Sequence, residues 1–191
     1  IGPGPGALTQ ELLNRGASVF AVEKDPRFSR GLQRLQCENR LQIYTEDILS
    51  FPLRELQPYA PLKVVANLPY SITTPILERL CESYSLFSSA LVMVQKEVAD
   101  RMIAHPHTKE ISSFTIFLKT YCTASVSFKV SKNCFHPAPQ VDSSIVKVAF
   151  HRPPFDDPQP FLLWVRKAYQ QRRKMLRSTL LIQGPYADRR P

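Results

Sequence analysis

The 191 residues, 43% of them hydrophobic, suffice for one sizeable core with a small appendage, and no apolar run approaches the roughly 20 residues of a membrane span. The net charge of +9 is lopsided: residues 1–100 carry 10 basic and 11 acidic side chains, residues 101–191 carry 15 and 5, so the second half suits a polyanion. Cys37, Cys81, Cys122 and Cys134 form no C-x-x-C pair, which argues against zinc or a redox motif and for packing roles in a reducing cytoplasm.

In chain order, Ile1-Gly2-Pro3-Gly4-Pro5-Gly6-Ala7-Leu8-Thr9 reads as a glycine-rich turn entering an amphipathic helix from Ala7 to Arg15, closed by Gly16. The chain begins without Met, at what reads as a strand-to-loop junction, so a preceding segment is expected. Ser18 to Val22 is a buried strand ending in Glu23, which gives the general plan for gripping a nucleoside. Gly2, Gly4 and Ala7 satisfy a loose G-x-G-x-x-A, but Pro3 and Pro5 remove backbone N–H groups that a pyrophosphate would need. A ligand without phosphate loses nothing there. S-adenosylmethionine is such a ligand, with glycines for close approach and Glu23 for the ribose hydroxyls.

Leu41 to Tyr44 is a further short strand, leading to Asp47 and Ile48. Asp47 is placed to accept from an adenine amino group while Ile48 packs on the ring; the competing reading is an Asp that caps the following turn. Leu62 to Ala66 is a strand of buried type that ends in Asn67-Leu68-Pro69-Tyr70. Ligands of open α/β sheets bind beyond the carboxyl ends of strands, so the Asn67 amide and Tyr70 ring belong at a crevice rim. Asn67 Oδ1 and the Leu68 carbonyl suit the hydrogens of a poorly nucleophilic amino group, with Tyr70 as a stacking face. An ordinary strand-to-helix turn, in which Asn caps and Pro fixes φ, is the alternative.

Thr74 to Cys81 is a helix capped by Thr73 or Thr74, and Ala90 to Val94 a continuous apolar strand of the kind covered on both faces. It leads through Gln95-Lys96-Glu97 into a helix ending near Ala104. His105 and His107 flank a proline in a polar loop, and no metal site is expected. Ser112 to Tyr121 reads as helix, Ala124 to Val130 and Ser143 to Phe150 as strands. Between those strands, prolines stiffen the loop that carries Phe135, either a core aromatic or a second face for an extruded base. Pro153-Pro154 and Asp156-Asp157-Pro158 mark a linker, and Phe161 to Leu181 a basic helical region outside the sheet.

These motifs, with Ser71-Ile72-Thr73-Thr74-Pro75, Gln95-Lys96-Glu97-Val98, Phe135-His136-Pro137-Ala138-Pro139-Gln140-Val141-Asp142-Ser143 and Gln171-Arg172-Arg173-Lys174, fall in one order along the chain. In this the sequence resembles the ribosomal RNA adenine N6-dimethyltransferases of the KsgA type, which modify small-subunit rRNA. The resemblance implies an α/β fold, a doubly wound Rossmann-like methyltransferase sheet with its last strand antiparallel, over residues 1–152. A small C-terminal helical domain that touches rRNA, residues 153–191, follows. It implies S-adenosyl-L-methionine as cofactor, on Gly2, Gly4, Gly6, Glu23, Lys24, Asp47, Ile48 and Asn67. The target amino group falls to Asn67, Leu68, Pro69 and Tyr70, with Phe135 stacking on the base, and RNA to Arg172, Arg173, Lys174 and Arg177. The implied substrate is the pre-ribosomal small subunit, methylated on N6 of two adjacent adenines near the 3' end of its rRNA, by a cytoplasmic monomer.

Departures are Ile111-Ser112 in place of a Tyr-Gly pair and a tail shorter than the family's. A large-subunit rRNA dimethyltransferase of the antibiotic-resistance type would more often read Asn-Ile-Pro-Tyr, and a DNA adenine methyltransferase Asn-Pro-Pro-Tyr or Asp-Pro-Pro-Tyr. A non-catalytic RNA-binding or assembly factor would not need Asn67, Tyr70 and Glu23.

Overall fold

Gly6 adopts a left-handed conformation (φ 92°), which lets the glycine loop turn into α1 (Ala7–Asn14), and its carbonyl accepts the Gln10 N–H at 2.8 Å. Thr9 and Leu13, four apart, form the buried stripe of α1. At its end Gly16 donates to the Leu13 carbonyl and Ala17 to the Leu12 carbonyl, the paired bonds of a Schellman cap. The computed structural model describes residues 1–35 and 39–170.

β1 (Val19–Val22) follows, then α2 (Pro26–Leu32), a helix beyond those expected from the sequence. Its signal was present in Asp25-Pro26: Asp25 accepts the Arg27 N–H at 2.8 Å as the cap, and Pro26 occupies the first turn. The Arg27 guanidinium holds the Asp25 carboxyl at about 2. β2 (Leu41–Tyr44) lies parallel to β1 with Val22 opposite Tyr44.

The other four strands form one ladder in the order β3 (Leu62–Asn67), β4 (Phe87–Gln95), β6 (Ser143–Phe150), β5 (Cys122–Val130). β3 and β4 are parallel, with Asn67 opposite Met93; β6 runs antiparallel to β4, with Ser143 opposite Gln95. The start of β6 therefore shares a rim with the ends of β3 and β4. The last strand is reversed, as expected, and sits between β4 and β5.

One face of this ladder, through Val64, Ala66, Val92, Val94, Val146 and Val148, packs with α3 (Thr73–Glu82), α4 (Lys96–Ile103) and α5 (Ser113–Tyr121) in one apolar cluster. Coverage of the two faces is unequal. Leu91 is 42% exposed and Met93 half-buried, so the apolar run of β4 does not reflect equal burial on both sides. The cap of α3 also differs from expectation. Residues 70–72 form a 3-10 turn that runs straight into the helix, so Ile72 is its N-cap and the Thr73 hydroxyl donates to the Pro69 carbonyl at 2.9 Å. α5 opens with a capping box between Ser112 and Thr115.

α6 (Gln159–Gln170) is not detached at its start: Leu162 is buried in the main cluster and Arg166 stands 3.8 Å from Glu78 of α3. Burial pushes the Glu78 carboxyl up, against the pull of Arg166. Cys81 and Cys122 are free, buried and 4.0 Å apart, consistent with packing roles.

Candidate functional site

The three glycine N–H groups of the first loop are all committed within the chain. Gly2 donates to the Val22 carbonyl (2.9 Å), Gly4 to Glu23 Oε2 (2.9 Å) and Gly6 to the Pro3 carbonyl (3.0 Å). With Pro3 and Pro5 lacking donors, this loop has little to offer a phosphate. It is instead a rigid rim: Gly4, at φ 54°, delivers its N–H onto a carboxylate at the tip of β1. Glu23 is 7% exposed and accepts the Asp25 N–H on Oε1 at 2.9 Å. Two backbone donors hold that carboxylate, and a carboxylate has about four lone-pair sites, so acceptor capacity remains for hydroxyl groups.

Asp47, at the tip of β2, combines two roles. Oδ1 accepts the Leu49 N–H at 2.9 Å, the turn-capping role, while Oδ2 meets exposed Lys24 at 2.9 Å. Lys24 first, then the Leu49 N–H, hold the Asp47 carboxyl below the usual carboxylate range. Arg79 of α3 donates to the Leu49 and Phe51 carbonyls and so fixes the turn that carries Asp47. Arg79 is a supporting residue that sequence reading missed. Ile48 departs from expectation: it is 7% exposed and belongs to the apolar core, so most of its side chain is committed there.

At the end of β3, burial alternates residue by residue. Asn67 is exposed, Leu68 is 1% exposed, Pro69 is exposed and Tyr70 half-buried. Leu68 anchors the turn through its side chain and an N–H bond to the Met93 carbonyl at 3.2 Å. Burying such a side chain contributes about 1.5–3 kcal/mol. The Asn67 amide makes no hydrogen bond among the described residues. A capping asparagine would be bonded to the following N–H groups, so the plain-turn reading fails for this residue. A β-carbon on Gly2 would stand 3.9 Å from Pro69 Cγ, which puts the glycine loop against this turn. The Tyr70 phenol lies 2.6 Å from the Ser143 hydroxyl.

Phe135 is half-buried and outside the apolar core, which removes the core-aromatic alternative. Its loop starts with a 3-10 turn, Lys132–Cys134, and is clamped by Asp142, whose Oδ1 accepts the Lys132 N–H at 2.9 Å. A recess of about 830 Å³ adjoins it, between Gln95, the start of α4, residues 109–112 and the 132–142 loop. Four cations and four carboxylates line it, so it is no concentrated phosphate grip, and it contains neither Glu23 nor Asn67. Arg172, Arg173, Lys174 and Arg177 lie outside the described residues. Among the described residues, no three His, Cys, Asp or Glu side chains gather as a metal would need, and no helix is long and apolar enough to cross a membrane.

A parallel sheet with its last strand reversed, a glycine loop on a strand-tip carboxylate and an Asn-Leu-Pro-Tyr turn beside it define the class of Rossmann-like methyltransferases. Within it, the ribosomal RNA adenine dimethylase family matches residues 1–190, and the chain belongs to that family. It is 50% identical over 187 residues to a ribosomal RNA small subunit methyltransferase A of Protochlamydia amoebophila (strain UWE25), covering 94% of this chain and 66% of the relative. A protein of the same name from Streptococcus thermophilus (strain CNRZ 1066) is 43% identical over 189 residues, at 94% and 65% coverage. The chain thus spans about two thirds of the length of these relatives. A crystal structure of a dimethyladenosine transferase from Plasmodium falciparum superposes with a TM-score of 0.74 at 28% identity, over 97% of this chain and 66% of that one. The 23S rRNA methyltransferase ErmE gives 0.73 at 25% identity, over 97% and 75%.

Proposed function

We propose that this chain is the methyltransferase part of an enzyme that uses S-adenosylmethionine to dimethylate N6 of two adjacent adenines near the 3' end of small-subunit rRNA. The observation that carries the reading is the Asn67 amide, exposed and without a partner among the described residues, at a strand end against the glycine loop. The donor set fits the cofactor: Glu23 has acceptor capacity left for ribose hydroxyls, and Asp47 accepts from the adenine amino group once Lys24 yields. When bound, the cofactor supplies a methyl group on a positively charged sulfur. Asn67 Oδ1 and the Leu68 carbonyl accept the N6 hydrogens and favour the positive charge that grows on that nitrogen. Tyr70 and Phe135 hold the base between them, and no strong general base is required. Arg172, Arg173, Lys174 and Arg177 contribute to the grip on rRNA, which weakens as salt rises.

The likeness to ErmE supports a second reading, in which the substrate is large-subunit rRNA. Leu68 within the turn and the relatives' small-subunit names favour the first. Methyl transfer from labelled cofactor to immature small subunits, naked rRNA and large subunits, followed by nucleoside mass analysis, decides between them. N6,N6-dimethyladenosine in small subunits alone is expected. Equal labelling of large subunits reassigns the substrate, and no transfer by the intact protein leaves a binding or assembly role.

A further inference from the structure

The reversed entry of β6 brings Asp142 and Ser143 to the rim where β3 and β4 end, and neither has a role in the reading above. Ser143 is 0% exposed, and its backbone is fixed in two ladders, opposite Gln95 on one side and Val130 on the other. Its hydroxyl is the one polar contact of the Tyr70 phenol among the described residues, at 2.6 Å and 73 positions away in sequence. Asp142 is tied at two points: its carbonyl accepts the Lys96 N–H at the start of α4, and its Oδ1 accepts the Lys132 N–H of the neighbouring loop, both at 2.9 Å. The Lys132 carbonyl in turn accepts the Phe135 N–H at 3.3 Å. Tyr70 and Phe135 stand on separate segments, yet both are tied to this dipeptide.

We propose that Asp142 and Ser143 are positioning residues that together fix the Tyr70 and Phe135 rings relative to each other, and so set the slot into which the target base enters. This rests on the reading of those two rings as base-contacting faces. A tyrosine held only at its Cα end rotates about two side-chain bonds. A hydroxyl anchored on a strand paired on both sides pins the far end of the ring, so its ordering is complete before substrate arrives. The clamp on Lys132 does the same for the backbone that carries Phe135. Because the two anchors are consecutive residues at the entry to one strand, a shift of one ring without the other is opposed.

The test uses the intact protein with unmethylated small subunits as substrate. Ser143→Ala and Tyr70→Phe break the same bond from opposite ends. Each is expected to lower kcat about five- to tenfold, the worth of one hydrogen bond, with cofactor Kd unchanged. The double variant should be no worse than the weaker single, and Ser143→Thr, which keeps a hydroxyl, should recover most of the rate. Asp142→Ala should lower kcat likewise, while Asp142→Asn, which keeps an Oδ1 acceptor, should stay within about twofold of wild type. If Ser143→Ala does not fold, Tyr70→Phe decides alone. Wild-type kcat in Tyr70→Phe, or strictly additive losses in the double variant, overturns the proposal. Tyr70→Ala separates the two levels: if it is inactive while Tyr70→Phe is normal, the brace falls and the base-face reading stands. If Tyr70→Ala is itself fully active, both fall.

Discussion

On the glycine-loop side the polar groups are bound up within the chain: Glu23 is buried and accepts two backbone N–H groups, and Asp47 holds both a turn and a lysine. On the β3 side the Asn67 amide is exposed and has no partner among the described residues. On the function proposed above, the contrast separates two tasks. A group that recognises a recurring ligand can be fixed by its own fold, because the same bonds hold the loop and orient the acceptor. A group that must meet charge developing during a reaction is left open, with rigidity supplied by its neighbours, here buried Leu68 and the phenol bond of Tyr70.

The two sides should differ most at Asn67. Asn67→Ala is expected to lower kcat by about 10²–10³, the usual effect of losing one transition-state hydrogen bond, and to leave Tm where it was. A clear fall in Tm would mean the amide is structural after all. Glu23→Ala should behave in the opposite manner. It orphans the Gly4 and Asp25 N–H groups, so unfolding free energy should drop by about 1.5–3 kcal/mol, with cofactor affinity falling in parallel. Thermal melts together with equilibrium dialysis of labelled cofactor measure both. Gly6→Ala probes the same side without touching a polar group. Its new β-carbon would lie 2.6 Å from Leu32 Cδ2 and 2.7 Å from Leu35 Cδ1 at a left-handed φ, for a loss of about 1–3 kcal/mol in denaturant unfolding.

How legible these regions were in the sequence follows from the same contrast. Glycine turns, strand-tip acids and the Asn-Leu-Pro-Tyr turn are local patterns, and β2 and β6 have the bounds that alternation and turn residues predict. Most of what the sequence does not show depends on contacts distant along the chain. Nothing local marks Ser143 as the partner of Tyr70, 73 positions earlier, or Arg79 as the support of the Leu49 and Phe51 carbonyls. Ile48 misled for a related reason: an isoleucine beside a strand-tip acid suits a ligand and a core equally, and tertiary packing chose the core. The helix α2 is the exception: its signal is local, Asp25-Pro26 as an N-cap followed by proline, but its seven residues carry no sustained apolar period.

The smallest expected effect concerns the ion pair that spans the glycine-loop side. Lys24 is exposed, so its bond to Asp47 adds little stability and less at high salt. Its trace should appear in pH dependence. The Asp47 carboxyl is held below its ordinary value, first by Lys24 and then by the Leu49 N–H, so its contribution is complete above about pH 3.9. That contribution is lost as pH falls through the lower folded-state value. Asp47→Asn keeps an acceptor for Leu49 but has no charge for Lys24. Wild type should therefore melt slightly above Asp47→Asn at neutral pH, with the gap closing in acid and shrinking at neutral pH when Lys24→Ala is the background. A gap independent of pH would mean that Asp47 acts through its turn alone. The strand-tip acids would then be structural caps first, and the division between a bound-up side and an open side would rest on Glu23.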